Sequence, residues 1–319
     1  MSEDLSPRER LIALAALVGG GTALGTAAIF VRLAEDAGVG PSATAFWRLL
    51  FALGPLTLWA LLDARRPAPA ASPTRASPDA PRRALWFALL AGFLFAGDLV
   101  TWHAGIVRTS AANATLFANL TPAVVALGAW VVFRERPSGP ILAALAMTLT
   151  GAALLSSAGL SAETFDAAPD QIGERAFGDV LSVLTAFWYA AYMLAVKAAR
   201  GAWSTVRVMA VSTLVSAPCA LAAALILGEP LTPTDGIGWL WLLGLALITH
   251  IGGQGGLAYG LGRLPAALSA LVVLIQPVVA SLLAWVLFAE ALGPLELSGG
   301  ALVIVGVIVA QRRSRAVVR

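Results

Sequence analysis

The sequence predicts an all-α membrane protein with ten transmembrane helices, arranged as two inverted five-helix repeats around a central cavity. Three observations predict it: an extreme apolar composition, ten runs of spanning length, and self-similarity between the two halves.

Composition sets the class. Of 319 residues, 59% are hydrophobic and only 12% charged, whereas soluble domains run near half apolar and a quarter charged. The mean hydropathy of +0.83 places most of the chain in lipid or against lipid-facing helices. The formal net charge of +3 is small, so the pI near 9.6 carries no implication of nucleic-acid binding. Cys219 is the single cysteine and lies in an apolar run, which excludes an intrachain disulfide and a thiolate metal site. No cofactor and no metal are expected.

A helix needs roughly 20 apolar residues to cross the hydrocarbon. The first such run follows the polar start MSEDLSPRER and covers 11–33. It is too long for a signal-peptide core and is expected to be retained. The next four fall at 42–62, 84–104, 110–133 and 140–157. The second group falls at 178–199, 206–227, 238–259, 266–289 and 294–311. Between spans two and three, Asp63–Arg83 is rich in Pro, Ala and Ser and reads as a cytoplasmic loop. The first half is thus 1–160, an acidic linker occupies 161–177, and the second half is 178–319.

Charge sets the orientation. With ten spans, both termini and the even-numbered joints share one side. That side carries most of the arginines, from Arg8 and Arg10 through Arg134 and Arg136 to Arg312 and Arg313. The opposite side holds Arg32, Arg108 and Arg175 with most of the acids, including Glu35, Asp36, Glu174, Glu229 and Glu290. The positive-inside rule puts both termini in the cytoplasm and the linker in the periplasm. One lysine beside 20 arginines suits a GC-rich bacterium, so a bacterial inner membrane is the expected location.

The repeat is the most informative feature. An offset of 155 pairs Trp86 with Trp241, Gly97 with Gly252, Gly105 with Gly260 and Arg108 with Arg263. The same offset pairs Pro122 with Pro277, Trp130 with Trp285, Glu135 with Glu290 and Gly151 with Gly306. Upstream the offset becomes 163 and pairs Pro55 with Pro218. Five spans per half is an odd number, so the halves enter the membrane from opposite sides. Inverted repeats of this kind characterise secondary transporters.

The segments GIVRTSAANATLFANLTPAVVALGAWVVFRERPSGPILAALAMTLTGAALL and GLGRLPAALSALVVLIQPVVASLLAWVLFAEALGPLELSGGALVIVGVIVA both resemble the EamA repeat of the drug/metabolite transporter superfamily. The shared pattern is a small-residue run, a mid-helix Pro, an exit Glu and a Gly in the next helix. Here these are Pro122, Glu135 and Gly151, then Pro277, Glu290 and Gly306. The resemblance implies a ten-helix carrier with a central cavity, often an exporter of amino acids or related metabolites.

Polar groups at membrane depth cost at least ~2.5 kcal/mol each and point to function. Asp98 has Phe95 and Trp102 one turn to either side and His103 beyond. It could bind an ammonium group beside aromatics, carry a proton, or serve as a structural lock against Arg48. Arg48 could bind a substrate carboxylate or pair with Asp98. His250 and Gln254 stand four apart on span eight, either facing the cavity or forming interhelical bonds. Span four supplies Asn113, Asn119 and Thr121, and span nine supplies Ser269, Gln276 and Ser281. Pro122 and Pro277 are expected to free the carbonyls of Ala118 and Val273. Tyr189, Tyr192 and Trp188 are wall or core candidates. Glu135 and Glu290, with the two prolines, are hinge or gating candidates. The glycines at 252, 253, 255 and 256 read as a packing face.

An intramembrane enzyme would want a metal or nucleophile constellation, and His103 and His250 have none around them. A non-transporting sensor or scaffold has no need of repeated mid-helix prolines. The expected partners are the lipid bilayer, a small solute and, as coupling ion, protons. The solute is an amino acid or related metabolite, with a cationic drug as the alternative. The chain is expected to be a monomer or homodimer.

Overall fold

The computed structural model describes residues 5–65, 79–106, 108, 117–163, 172–288 and 293–316, and every regular element among them is helical. The first half holds α1 (Pro7–Gly25), α2 (Ala27–Asp36), α3 (Pro41–Ala64), α4 (Ala80–Ile106), α5 (Thr121–Phe133) and α6 (Gly139–Glu163). The second holds α7 (Ile172–Arg200), α8 (Thr205–Ile226) and α9 (Gly236–Gly244), then a π-helical segment (Leu245–Gln254). It ends with α10 (Gly255–Leu261), α11 (Ala266–Val273), α12 (Ile275–Phe288) and α13 (Pro294–Ala316).

Seven helical stretches among the described residues are long and apolar enough to cross a membrane, counting α1 with α2, α9 with α10, and α11 with α12 as one each. Three shorter apolar helices, Thr121–Phe133, Gly139–Leu154 and Leu297–Ala310, lie within the fourth, fifth and tenth runs read from the sequence. Leu58, Trp86, Phe93, Val131 and Ile226 are exposed, as lipid-facing positions are. The Pro-rich stretch at 66–78 and residues 164–171 of the acidic linker lie outside the described residues.

Local chemistry starts and stops these helices. Ser6 and Glu9 form a capping box at α1, with Pro7 in the first turn. Ser204 caps α8 and Asp235 caps α9 through side-chain oxygens. Arg134 ends α5 in the left-handed region at φ 57°. The α3 N-terminus takes its cap from a distance: Glu229 Oε2 accepts from the backbone N–H groups of Ser42 at 2.6 Å and Ala43 at 3.0 Å.

Three spans read as continuous are broken. The first bends at Thr26, whose hydroxyl donates to Ala23 O at 2.7 Å. The fourth begins its main helix only at Thr121, after a turn at Asn119 and Leu120. The ninth breaks at Leu274, which is the repeat mate of Asn119. The last two breaks sit three residues before Pro122 and Pro277, where the ring clashes with the preceding turn.

Packing pairs an element of one half with one of the other. The long contacts join α4 to α7, α6 to α13, α3 to α8, and α1 to the π segment and α10. Small residues let the backbones approach. A methyl group on Gly151 would come within 2.6 Å of Gly299 O, and one on its mate Gly306 within 2.6 Å of a Thr148 methyl. Gly253 and Gly256 face α1 at Leu24 and Gly20, whereas Gly252 and Gly255 meet no other helix. Arg108 and Arg263, also mates, each donate to the carbonyl four residues back, at 3.0 Å and 3.5 Å.

Candidate functional site

All three broken helices meet at one cavity of about 200 Å³. Its walls come from the α1–α2 bend, α3, α4, the α5 entry, α7, the π segment and the α11–α12 break. Most of this wall is apolar. The exceptions are few.

Arg48 of α3 and Asp98 of α4 both line this cavity, at 6% and 8% exposure. Among the described residues neither side chain forms a hydrogen bond or an ion pair, not even with the other. Arg48 instead lies over the Phe95 ring, 5.6 Å from its centroid. A guanidinium brings five N–H donors. Burying them without partners costs several kcal/mol, and an unpaired carboxylate is no cheaper. The structural lock between the two, one reading open from the sequence, is not what the fold builds. Both side chains line one shared space and do not pair with each other.

Asn119 adds a third group. It sits at the α5 entry, lines the same cavity at 9% exposure, and leaves its amide Nδ2 buried without a partner. Trp102, Tyr189, Gln254 and Gln276 also line the cavity, as do Pro122 and Pro277. Gln254 is held by its neighbours: Tyr192 OH donates to its Oε1 at 3.3 Å, and its Nε2 donates to Tyr189 OH at 3.4 Å. The Ala118 carbonyl that Pro122 was expected to free is taken by the Thr121 hydroxyl at 2.7 Å. It is therefore engaged within its own turn.

His250 lies one layer back. It is 2% exposed, stands outside the cavity wall, and its Nε2 is 2.8 Å from Thr213 Oγ1 of α8. Its ring stacks on Phe95, its own repeat mate, at 5.7 Å. Phe95 stacks in turn on Tyr192 at 4.8 Å, and Tyr192 on Tyr189 at 5.7 Å. These four rings form the cavity floor and the layer beneath it. His103 continues α4, but its side chain lies outside the described residues, as do Asn113 and Glu290.

At the arginine-rich end of the bundle, helices are joined by a contact the sequence did not reveal. Glu135, at the α5 exit, meets Lys197 of α7 at 3.0 Å through Oε1. Its Oε2 accepts from the Ala266 N–H at 3.0 Å and so caps α11, whose N-cap residue is Pro265. Lys197 also donates to Leu264 O at 2.9 Å. One carboxylate thus joins α5, α7 and the α10–α11 joint. Lys197 stood in the sequence as an orientation charge only. Its standing as the single lysine among arginines was the available signal.

Two further features were not legible. Phe95 emerges as the ring beneath the guanidinium, and Thr26 as the bend where α1 meets the π segment, 3.1 Å from Thr249 Oγ1. Among the described residues no three His, Cys, Asp or Glu side chains gather closely enough to hold a metal ion.

Residues 11–157 and 176–311 each match the model of the EamA-like transporter family. An uncharacterized transporter of Archaeoglobus fulgidus is 25% identical over 299 residues, spanning 93% of this chain and 96% of its own. A solved structure, described as the crystal structure of a protein, superposes with a TM-score of 0.72 at 20% identity. That likeness covers 97% of this chain and 99% of the other, and it concerns the fold.

Proposed function

Because the chain belongs to the EamA-like transporter family, we propose that it exports a small zwitterionic metabolite, an amino acid or a near relative, across the bacterial inner membrane by alternating access. The observation that carries this reading is the separation of Arg48 and Asp98. Two buried, opposite charges that share a cavity and do not pair leave room for a solute bearing both complements. A carboxylate would take the guanidinium, in a strong charge-assisted pair. An ammonium group would take Asp98, with Phe95, Trp102 and Tyr189 as the aromatic surround.

Alternating access needs two halves that trade places. Ten spans in two inverted repeats, with both termini cytoplasmic, supply them. The family match in two stretches supports this, as do the cross-half packing pairs. The breaks beside Pro122 and Pro277 are the hinges in this reading, and Glu135 and Glu290 the gating contacts. The acidic linker is the periplasmic connection between a first repeat ending near 160 and a second beginning near 178.

A cationic drug is the second reading, favoured by the acid among aromatics around Asp98. Arg48 opposes it, since a monocation would share the cavity with an unpaired guanidinium. The test is uptake of radiolabelled amino acids by purified protein in proteoliposomes, with and without a pH gradient. The expected result is saturable uptake that R48Q and D98N each reduce at least about tenfold. Uptake unchanged by both substitutions would remove the site. Uptake of organic cations alone, with R48Q improving it, would favour the drug reading.

A further inference from the structure

The scaffold is repeated, but its unpaired polar groups are not. At the offsets that match the two halves, Arg48 corresponds to Val211, Asp98 to Gly253 and Asn119 to Leu274. Each unpaired group of the cavity therefore has an apolar or bare mate, whereas the structural pairs Pro122/Pro277 and Gly151/Gly306 are kept identical. Symmetry accounts for the frame. Departures from it mark what the frame holds.

Asn119 is the departure that structure alone leaves unexplained. Its mate Leu274 shows that a helix break at this point needs no amide, since the ninth span breaks there as well. Yet Asn119 leaves Nδ2 buried without a partner in the wall of the cavity. The same cavity is lined by Arg48, whose guanidinium Nε is buried without a partner among the described residues. A missing hydrogen-bond partner for two separate sets of donors is an acceptor, and the charge of Arg48 makes that acceptor an anion. A carboxylate, with two oxygens and about four lone-pair sites, can serve both.

We propose that Asn119 is a specificity-determining residue that joins Arg48 in a carboxylate clamp, so that the solute must carry a free carboxylate whatever else it carries. The clamp rests on the zwitterion reading and sharpens it. The carboxylate is the obligatory end, oriented toward the α5 entry, and the ammonium end is held by Asp98. Asn119 donates to the solute and carries no charge of its own. It discriminates a carboxylate from its ester by the two N–H groups that an ester, lacking the anionic charge, engages poorly.

Four probes of one carbon skeleton test this in proteoliposomes: L-leucine, L-leucine methyl ester, 4-methylpentanoate and isopentylamine. On the wild-type protein, L-leucine is expected to be taken up. 4-Methylpentanoate should compete measurably, and the ester and amine at least about tenfold less well than leucine. N119L, which installs the mate's residue, should raise the KM for leucine about fivefold and leave the KM for the amine unchanged. N119D should raise it further and narrow the preference for leucine over its ester. A general loss of folding would depress all four probes equally, so the acid-to-ester ratio separates recognition from structure. Wild-type competition by the ester or amine as strong as by leucine overturns the clamp without need of any variant. So does an unchanged acid-to-ester ratio in both N119L and N119D. Failure of leucine, with uptake of isopentylamine alone, overturns the zwitterion reading itself and the clamp with it.

Discussion

Replacing Glu135 should open the arginine-rich end of the bundle. The carboxylate makes two contacts there, the ion pair to Lys197 and the cap on the Ala266 N–H. The side chains of Lys197 and Glu135 are 15% and 32% exposed, so solvent screens the pair, and about 0.5 kcal/mol is a fair share for it. The charged cap on an otherwise uncapped helix start contributes about 1.5 kcal/mol. Together these make ~2 kcal/mol, or roughly a 30-fold shift between closed and open states. An end open in roughly 2% of molecules would become open in roughly 40%. The assay is a pulsed electron-spin distance measurement between labels at Ser138 and Ala202, both exposed, in a C219S background. E135A should add a second, longer distance. E135Q keeps an acceptor oxygen for Ala266 but loses the charge, so its shift should be smaller. K197M should lie near E135Q. If both E135A and K197M are folded and their distance distributions match the parent, the contact is not a latch.

Two predictions concern the frame. G306A should lower the melting temperature of the purified protein, because the new methyl meets Thr148 and the Ala144 carbonyl across the α6–α13 seam, at a cost of about 1–3 kcal/mol; a melting temperature equal to wild type would mean that this seam is looser than its geometry. T213V should strand the His250 imidazole, costing about 1–3 kcal/mol of stability. Since His250 lies behind the cavity wall, the KM for leucine should stay within about twofold of wild type; a larger rise would place His250 in the site after all.

The positions of the apolar runs were legible because lipid imposes a minimum length, and each described helix falls on one of them. Pro122 and Pro277 marked an irregularity through the missing N–H, although the two spans were read as continuous and the structure breaks them. The bend at Thr26 was not legible, because a threonine in an apolar run carries no comparable local signature; it bends where α1 meets the π segment. His250 and Gln254 show a different limit. Four residues apart, they would share a face of an α-helix, and the sequence left the pair either facing the cavity or bonded between helices. The segment is π-helical, its wider turn moves the faces apart, and Gln254 reaches the cavity while His250 turns to Thr213. Likewise, the residue types at 48 and 98 allowed a salt bridge or two open ends, and only the packing of α3 and α4 decides between them.

The unmatched polar positions and the matched seam residues have separate fates under mutation. Gly151 and Gly306 tie the two copies to each other, so a change in one is felt by both halves. Residues 48, 98 and 119 belong to one copy and have no polar counterpart in the other. The passenger can thus be changed in a single copy while the chassis stays fixed. A combinatorial library confined to those three positions would sample new cargo on an unaltered body.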